Sequence, residues 1–277
     1  MKIWHQSFTD LDVFAKYRDT LQAHADAVMG ARAQVVVHGL RPGTYPPGVA
    51  PMSVNSSAGM RLLNVRQVCE AAETAQAAGY DAFALGCFFD PGLVEARSLV
   101  DIPVVSLTES CLLTACSLGR RVGMIALTPF QKMQTEDLAA QYGLSGRLSG
   151  VVSMSPAVDL FDLEGDEAAA ASVRDRFIEA CRVALAQGVE VIIPGDGVLN
   201  EFLVRHRLLS VEGAAVLDAL GVLFHHAAFF ANARAAGCLD ISRRQLYASP
   251  TEAMRRHARQ ALGAAAYPES AFSGRAG

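Results

Sequence analysis

Charge of either sign is scarce in this 277-residue chain: 19% of its residues are Asp, Glu, Lys or Arg, and the net charge is −4. With no basic excess there is no electrostatic footprint for a phosphate backbone, so nucleic acid is not an expected partner. Cysteine is sparse as well, at six residues. That is too few for a disulfide scaffold at this length, and neither Cys-x-x-Cys nor a Cys/His metal spacing occurs, so no metal site is expected. No apolar run approaches a membrane span, and no apolar h-region follows the opening Met1-Lys-Ile-Trp-His-Gln6. A soluble cytoplasmic protein with free thiols is the expectation. What the chain does have is apolar mass, 51% of residues, which excludes disorder and supplies a substantial core.

Short apolar runs alternate with Ala-rich helical stretches. Strands are predicted at Lys2–His5, Gln34–His38, Ala82–Gly86, Pro103–Leu107, Arg121–Leu127, Gly150–Met154, Glu190–Ile193 and Ala214–Leu217. They are short and lack period-two alternation, as parallel strands buried on both faces do. Helices are predicted at Asn64–Ala78, Thr135–Tyr142, Glu167–Gln187 and Gly221–Ala235. Strand and helix in repeated alternation predict an α/β fold with parallel sheets.

A weak internal repeat divides the chain. Gly79-Tyr-Asp-Ala-Phe-Ala-Leu-Gly86 leads into Cys87, and Gly188-Val-Glu-Val-Ile-Ile-Pro-Gly195 leads into Asp196. Each reads as a helix-ending glycine, an acid, a buried strand, a glycine and a polar residue. Two pseudo-symmetric, Rossmann-like halves follow, 1–117 and 118–219, with a return to the first half near 220–236 and a helical extension over 237–277. Such halves bring two equivalent strand ends together across a cleft, where open α/β sheets bind ligands.

Cys87 ends the first of these strands. The following Phe-Phe-Asp-Pro-Gly reads as a strand-to-helix turn with Asp90 as N-cap and Pro91 at N1. A thiol beside a helix N-terminus is a candidate acid, base or nucleophile, and its alternative is a small buried apolar residue. Asp196 likewise reads as a helix cap or as an opposed acid/base group.

Leu85-Gly-Cys-Phe-Phe-Asp-Pro-Gly-Leu-Val-Glu-Ala-Arg97, followed by Ile102-Pro-Val-Val-Ser-Leu-Thr-Glu109, resembles the aspartate/glutamate racemase superfamily, and within it the hydantoin racemase branch. The likeness extends over about residues 1–236. It implies a cofactor-independent racemase or isomerase acting on a small carboxylate or cyclic imide. A homo-oligomer is expected separately, because symmetric homo-oligomers are common among soluble enzymes. Two facing cysteines would move the proton beside a carbonyl. Here the second cysteine motif reads Gly195-Asp196-Gly197-Val198, which leaves Cys87 opposite a carboxylate. A one-cysteine decarboxylase, cis–trans isomerase or hydrolase, or a non-catalytic ligand-binding relative, is the alternative.

Thr128 matches the family's polar turn after the fifth strand, where a hydroxyl helps to hold the substrate acid group. Gln6 and Ser7, where the chain departs from the family's Asn-Pro-Asn-Thr loop, either hydrogen-bond a substrate carbonyl or form an ordinary loop. Phe88 either walls the pocket or packs in the core, and Gly197 and Val198 are further substrate-binding candidates. Backbone N–H groups near Phe88 and Val198 would hold a developing enolate oxygen. His38, Arg41 and Tyr45, after the second strand, are further candidates on the same sheet edge. Glu109 and Asp218 either orient site residues or begin helices. His225 and His226 point about 100° apart on a helix and make no shared metal site. In the tail, Ser249-Pro-Thr-Glu252 reads as a capping box, followed by an apolar stripe of Met254, Ala258, Ala261, Leu262 and Ala265.

Overall fold

The computed structural model describes residues 1–262. The chain begins with β1 (Lys2–Ser7), α1 (Ala15–Met29), β2 (Gln34–His38), α2 (Pro51–Asn55), α3 (Ala58–Ala77), β3 (Ala82–Gly86), α4 (Leu93–Leu99), β4 (Val104–Ser106) and α5 (Leu107–Leu118). It continues through β5 (Val122–Ala126), α6 (Pro129–Gln141), β6 (Leu148–Ser153), α7 (Glu167–Ala186), β7 (Val191–Pro194), α8 (Gly197–Arg205), β8 (Ser210–Val211) and β9 (Ala214–Val216). The last elements are α9 (Ala219–Ala235) and α10 (Glu252–Leu262). All eight expected strands are present with ends shifted by a residue or two; the short β8 was not foreseen.

The strands form two sheets, ordered β2-β1-β3-β4 and β6-β5-β7-β9-β8. Every pairing is parallel except β8 with β9. In both sheets a first strand lies centrally, flanked by the second and third, so β3 and β7 hold equivalent places. Alternate residues of β3 enter different cores: Ala82 and Ala84 face one, Phe83 and Leu85 the other. The strand is therefore buried on both faces, the reason its sequence shows no alternation.

The repeat has a physical basis. α3 and α7 end in the same Schellman turn, with Gly79 (φ 75°) and Gly188 (φ 84°) in the left-handed region. Tyr80 N–H donates to Ala75 O and Val189 N–H to Ala184 O. The acid two residues after each glycine latches the central strand: Asp81 accepts from Lys2 N–H at 2.7 Å, and Glu190 from Arg120 N–H at 2.6 Å. Helix end, strand start and sheet register are thus fixed together in each half.

Helix α9 packs against β3 and β4 of the first sheet and against α1, α5 and α8. No helix among the described residues is long and apolar enough to cross a membrane. The tail departs from expectation. α10 starts at Glu252, and Thr251 rather than Ser249 caps it through Met254 N–H. Met254 and Ala258 are exposed. The half-buried Arg255 anchors the helix instead, donating to Leu99 O and Pro250 O. Ala261, Leu262 and Ala265 lie outside the described side chains.

Candidate active site

In the first sheet Ser7 lies beside Gly86 in register, so β1 and β3 end together. In the second, Ile125 pairs Pro194, so β5 and β7 do the same. These ends face one another. A Cβ built on Gly197 would lie 3.5 Å from Gly86 O and 3.3 Å from the Tyr17 hydroxyl oxygen. A small open pocket lies at this seam, and both Cys87 and Asp196 line it.

Cys87 is half-buried. Its loop is not a helix N-terminus, contrary to the sequence reading. α4 begins only at Leu93 behind Gly92 (φ 77°), and Asp90 adopts φ 44° rather than a capping conformation for α4. Asp90 caps α5 instead, accepting from Thr108 N–H at 3.1 Å and Glu109 N–H at 3.3 Å. Its carboxylate also accepts from the Tyr142 hydroxyl at 2.6 Å, and Thr108 Oγ1 donates to Phe88 O at 2.8 Å. The loop after Cys87 is pinned from both halves of the chain. Burial pushes the Cys87 thiol up; the Phe89 backbone N–H opposes this, while the negative charges of Asp196 and Asp90 add to it. The expected helix-stabilised thiolate is therefore replaced by a protonated thiol.

Asp196 is both a cap and a pocket residue. Its Oδ1 accepts from Val198 N–H at 2.8 Å and Leu199 N–H at 3.2 Å, starting α8. Its Oδ2 accepts from Gln131 Nε2 at 3.1 Å. The buried Gln131 is itself oriented by Leu127 N–H, which donates to Oε1 at 2.7 Å. Burial raises the Asp196 carboxyl to about 6, against these three donors. At neutral pH it is chiefly a carboxylate. The Val198 N–H, expected to serve a substrate oxygen, is instead committed to Asp196.

Ser7, Phe88, Gly197 and Val198 also line the pocket. Gln6, His38, Tyr45 and Thr128 do not. Gln6 donates to Ser7 O and Gly39 O and accepts from Trp4 Nε1, so its amide is fully engaged in the interior. His38 stacks on Trp4 at 3.4 Å with its Nδ1 3.0 Å from Val36 O. Tyr45 donates to Phe8 O, behind the pocket wall, and Thr128 caps α6 by accepting from Gln131 N–H. Arg41 pairs with Glu70, and Glu109 with Arg97. His226 meets Thr114 Oγ1 at 3.0 Å, and no cluster of three metal-ligating side chains occurs among the described residues.

Sequence reasoning missed three polar lining residues, Thr9, Tyr17 and Asn55. Thr9 Oγ1 is buried without a partner. Asn55 donates to the Tyr45 hydroxyl and accepts from Asn64 Nδ2. Phe8, Met52, Phe89 and Leu160 complete an apolar wall, and no Lys, Arg or His lines the pocket among the described residues.

A family model described as Asp/Glu/Hydantoin racemase matches residues 15–227. A hydantoin racemase of Pseudomonas sp. (strain NS671) is 30% identical over 180 residues, 64% of this chain and 70% of that protein. Allantoin racemase from Klebsiella pneumoniae superimposes with a TM-score of 0.71 at 21% identity, over 91% of this chain and 94% of that one. Allantoin racemase from Pseudomonas fluorescens gives 0.68 at 22% identity, over 90% and 97%. These structural likenesses carry the fold, whereas the family match begins after β1 and takes in every later strand, with both Cys87 and Asp196. The chain belongs to the Asp/Glu/hydantoin racemase family, on its hydantoin racemase-like side, and is an isomerase.

Proposed function

We propose that this enzyme racemises a neutral, five-membered cyclic imide bearing an apolar substituent, a 5-substituted hydantoin, through Asp196 and Cys87. The observation that carries this reading is the convergence of both residues on one pocket from equivalent strand ends. The Asp196 carboxylate takes the proton from the carbon beside the carbonyl. The C–H electrons form the enolate, and the Cys87 thiol returns a proton to the opposite face, leaving thiolate and carboxylic acid. Starting from the other enantiomer, the same pair works in reverse from that second protonation state.

The lining supports a neutral substrate. Among the described residues no cation lines the pocket to balance a dicarboxylate, which favours a neutral ligand. Phe8, Met52, Phe88, Phe89, Leu160 and Val198 favour an apolar substituent over a polar one. Asp196 in place of a second thiol adds a negative charge that disfavours an anionic ligand further. No cofactor enters these steps, and both candidate groups are side chains of this chain.

The test uses (S)-5-benzylhydantoin in deuterium oxide, followed by optical rotation and by proton NMR at C5. Wild type is expected to racemise it with solvent deuterium entering at C5. Cys87→Ser and Asp196→Asn should each lower turnover by a factor of about a hundred or more, the scale of a lost acid/base group. Unchanged turnover in Cys87→Ser overturns the assignment. Full activity in Asp196→Asn with none in Cys87→Ser reduces Asp196 to a helix cap and favours a one-cysteine reaction.

A further inference from the structure

Helix α1 delivers a group to the pocket that no motif marks. Its first turn has no side-chain cap of its own; the Glu164 carboxylate, from the segment before α7, accepts from Tyr17 N–H at 2.8 Å and Lys16 N–H at 3.0 Å. Lys16 Nζ returns the contact, donating to Glu164 O and Gly165 O. Two turns on, the buried His24 is clamped between Glu201 Oε1 at 2.7 Å and Asp218 Oδ2 at 2.9 Å. Tyr17, Leu21 and His24 share one buried face of α1. The helix is thus held at its N-terminus and at its third turn by carboxylates that follow β6 in the chain.

This fixation places the Tyr17 phenol at the seam. The side chain is buried, lines the pocket, and carries its oxygen beside Gly197, the neighbour of Asp196, 3.3 Å from where a Cβ on that glycine would stand. A proton-abstracting site needs a donor for the oxygen on which charge develops. The α8 N–H groups of Val198 and Leu199 do not meet that need, because both are bonded to Asp196.

We propose that the Tyr17 hydroxyl is a catalytic residue of this pocket, donating a hydrogen bond to the substrate carbonyl oxygen as it becomes an enolate, with Glu164, Glu201 and Asp218 as its positioning residues. The inference rests on the proton-abstraction reading above. As the carbon–hydrogen bond breaks toward Asp196, the carbonyl π electrons move onto oxygen and the phenol holds that charge without giving up its proton. The proton that completes the reaction comes from Cys87. Burial keeps the phenol protonated; a hydrogen bond with the Ser7 side chain opposes this, and the negative charges of Glu201 and Asp196 reinforce it. It is therefore a donor rather than a third base.

The test again uses (S)-5-benzylhydantoin and full-length enzyme. Tyr17→Phe keeps the ring and removes only the hydroxyl. We expect kcat to fall about 100- to 1,000-fold, the loss seen for a single oxyanion donor, while KM changes by less than threefold. Tyr17→3,5-difluorotyrosine keeps shape and donor but acidifies the phenol, so the alkaline limb of the kcat profile should move to lower pH. A merely structural role would move neither the kcat-against-KM split nor that limb. Unchanged kcat in Tyr17→Phe, with Cys87→Ser inactive, overturns Tyr17 and leaves the proton-abstraction reading standing. If Tyr17→Phe does not fold, an unmoved limb in the fluorinated enzyme overturns the proposal. Wild type that leaves C5 untouched removes the reading and this inference together.

Discussion

Gly86 and Gly197 meet across the cleft, with a Cβ on Gly197 only 3.5 Å from the Gly86 carbonyl oxygen. Each glycine adjoins a candidate acid/base residue, so their close approach sets how near Cys87 and Asp196 stand. The two positions differ in what surrounds them. A Cβ on Gly86 would lie 2.1 Å from His5 Nε2, and His5 is wholly buried against Phe224 at 5.6 Å. Gly86→Ala should therefore cost stability, about 1–3 kcal/mol for an overpacked core, read as a drop of about 2–4 °C in melting temperature per kcal/mol. Gly197→Ala meets Tyr17 at 3.3 Å, a contact relieved by a shift of tenths of an ångström. It should melt close to wild type yet turn over about tenfold more slowly, because the displaced groups are those of the pocket. Equal melting and equal turnover in both variants would show that the seam tolerates extra bulk.

Gln131 offers a way to assign the pH dependence. The Asp196 carboxyl titrates at about 6 and must be ionised to act as a base, so activity should rise with pH through that value and level off above it. Asp90 is also raised to about 6 by burial, which makes wild type alone ambiguous. Of these two carboxylates, Asp196 is the one bonded to Gln131, at 3.1 Å through Oδ2. Gln131→Met removes a donor to the charged form and should move the acid limb upward by about one pH unit, the worth of one charge-assisted hydrogen bond. An acid limb that stays in place assigns it to a group other than Asp196.

The strands and the two-fold layout were legible because parallel strands buried on both faces are short apolar runs, and because each half repeats its Schellman glycine and strand-latching acid. The shared place of Cys87 and Asp196 on one pocket was legible for the same reason, since both follow the repeat. Helix α1 was not. Its buried face includes Tyr17, Leu21 and His24 along with Ala25 and Met29, and the carboxylates that hold the helix, Glu164 on the Tyr17 backbone N–H and Glu201 on the His24 ring, lie far along the chain. Tyr17 escaped notice with it. The Asp90 assignment failed differently: Asp-Pro-Gly is a sound local helix signal, but the α5 N-terminus, 18 residues on, competes for the same carboxylate and wins.

The His24 clamp predicts an alkaline loss of stability. Burial opposes the imidazolium, but the bonds to Asp218 and Glu201 outweigh it and raise His24 to about 10, against 6.5 in the unfolded chain. Its stabilisation is therefore complete below pH 6.5 and is lost as pH rises toward 10. His24→Gln leaves the buried Glu201 without its cation and should cost about 3 kcal/mol near pH 6 by urea denaturation. The difference from wild type should shrink steadily as pH is raised to 10. A gap independent of pH would mean that His24 contributes by packing rather than by charge.

Asp90 supplies the last case, in which backbone and side chain make separable demands. Its φ of 44° lies in the left-handed region, which Asn tolerates better than Ala. Its carboxylate caps α5 and accepts from Tyr142. Asp90→Asn keeps the tolerated backbone and one acceptor oxygen for the α5 N–H groups, whereas Asp90→Ala gives up cap and conformation together. Loss of a cap costs about 1 kcal/mol, and the strained alanine adds about 1 kcal/mol more. Asp90→Ala should accordingly melt several degrees below Asp90→Asn. Both should lose turnover, since the Thr108 and Glu109 N–H bonds hold the loop that presents Cys87 to the pocket. Thermal melts and initial rates on the same samples decide it. If the two variants melt together but turnover falls only in Asp90→Ala, the backbone angle rather than the cap positions Cys87.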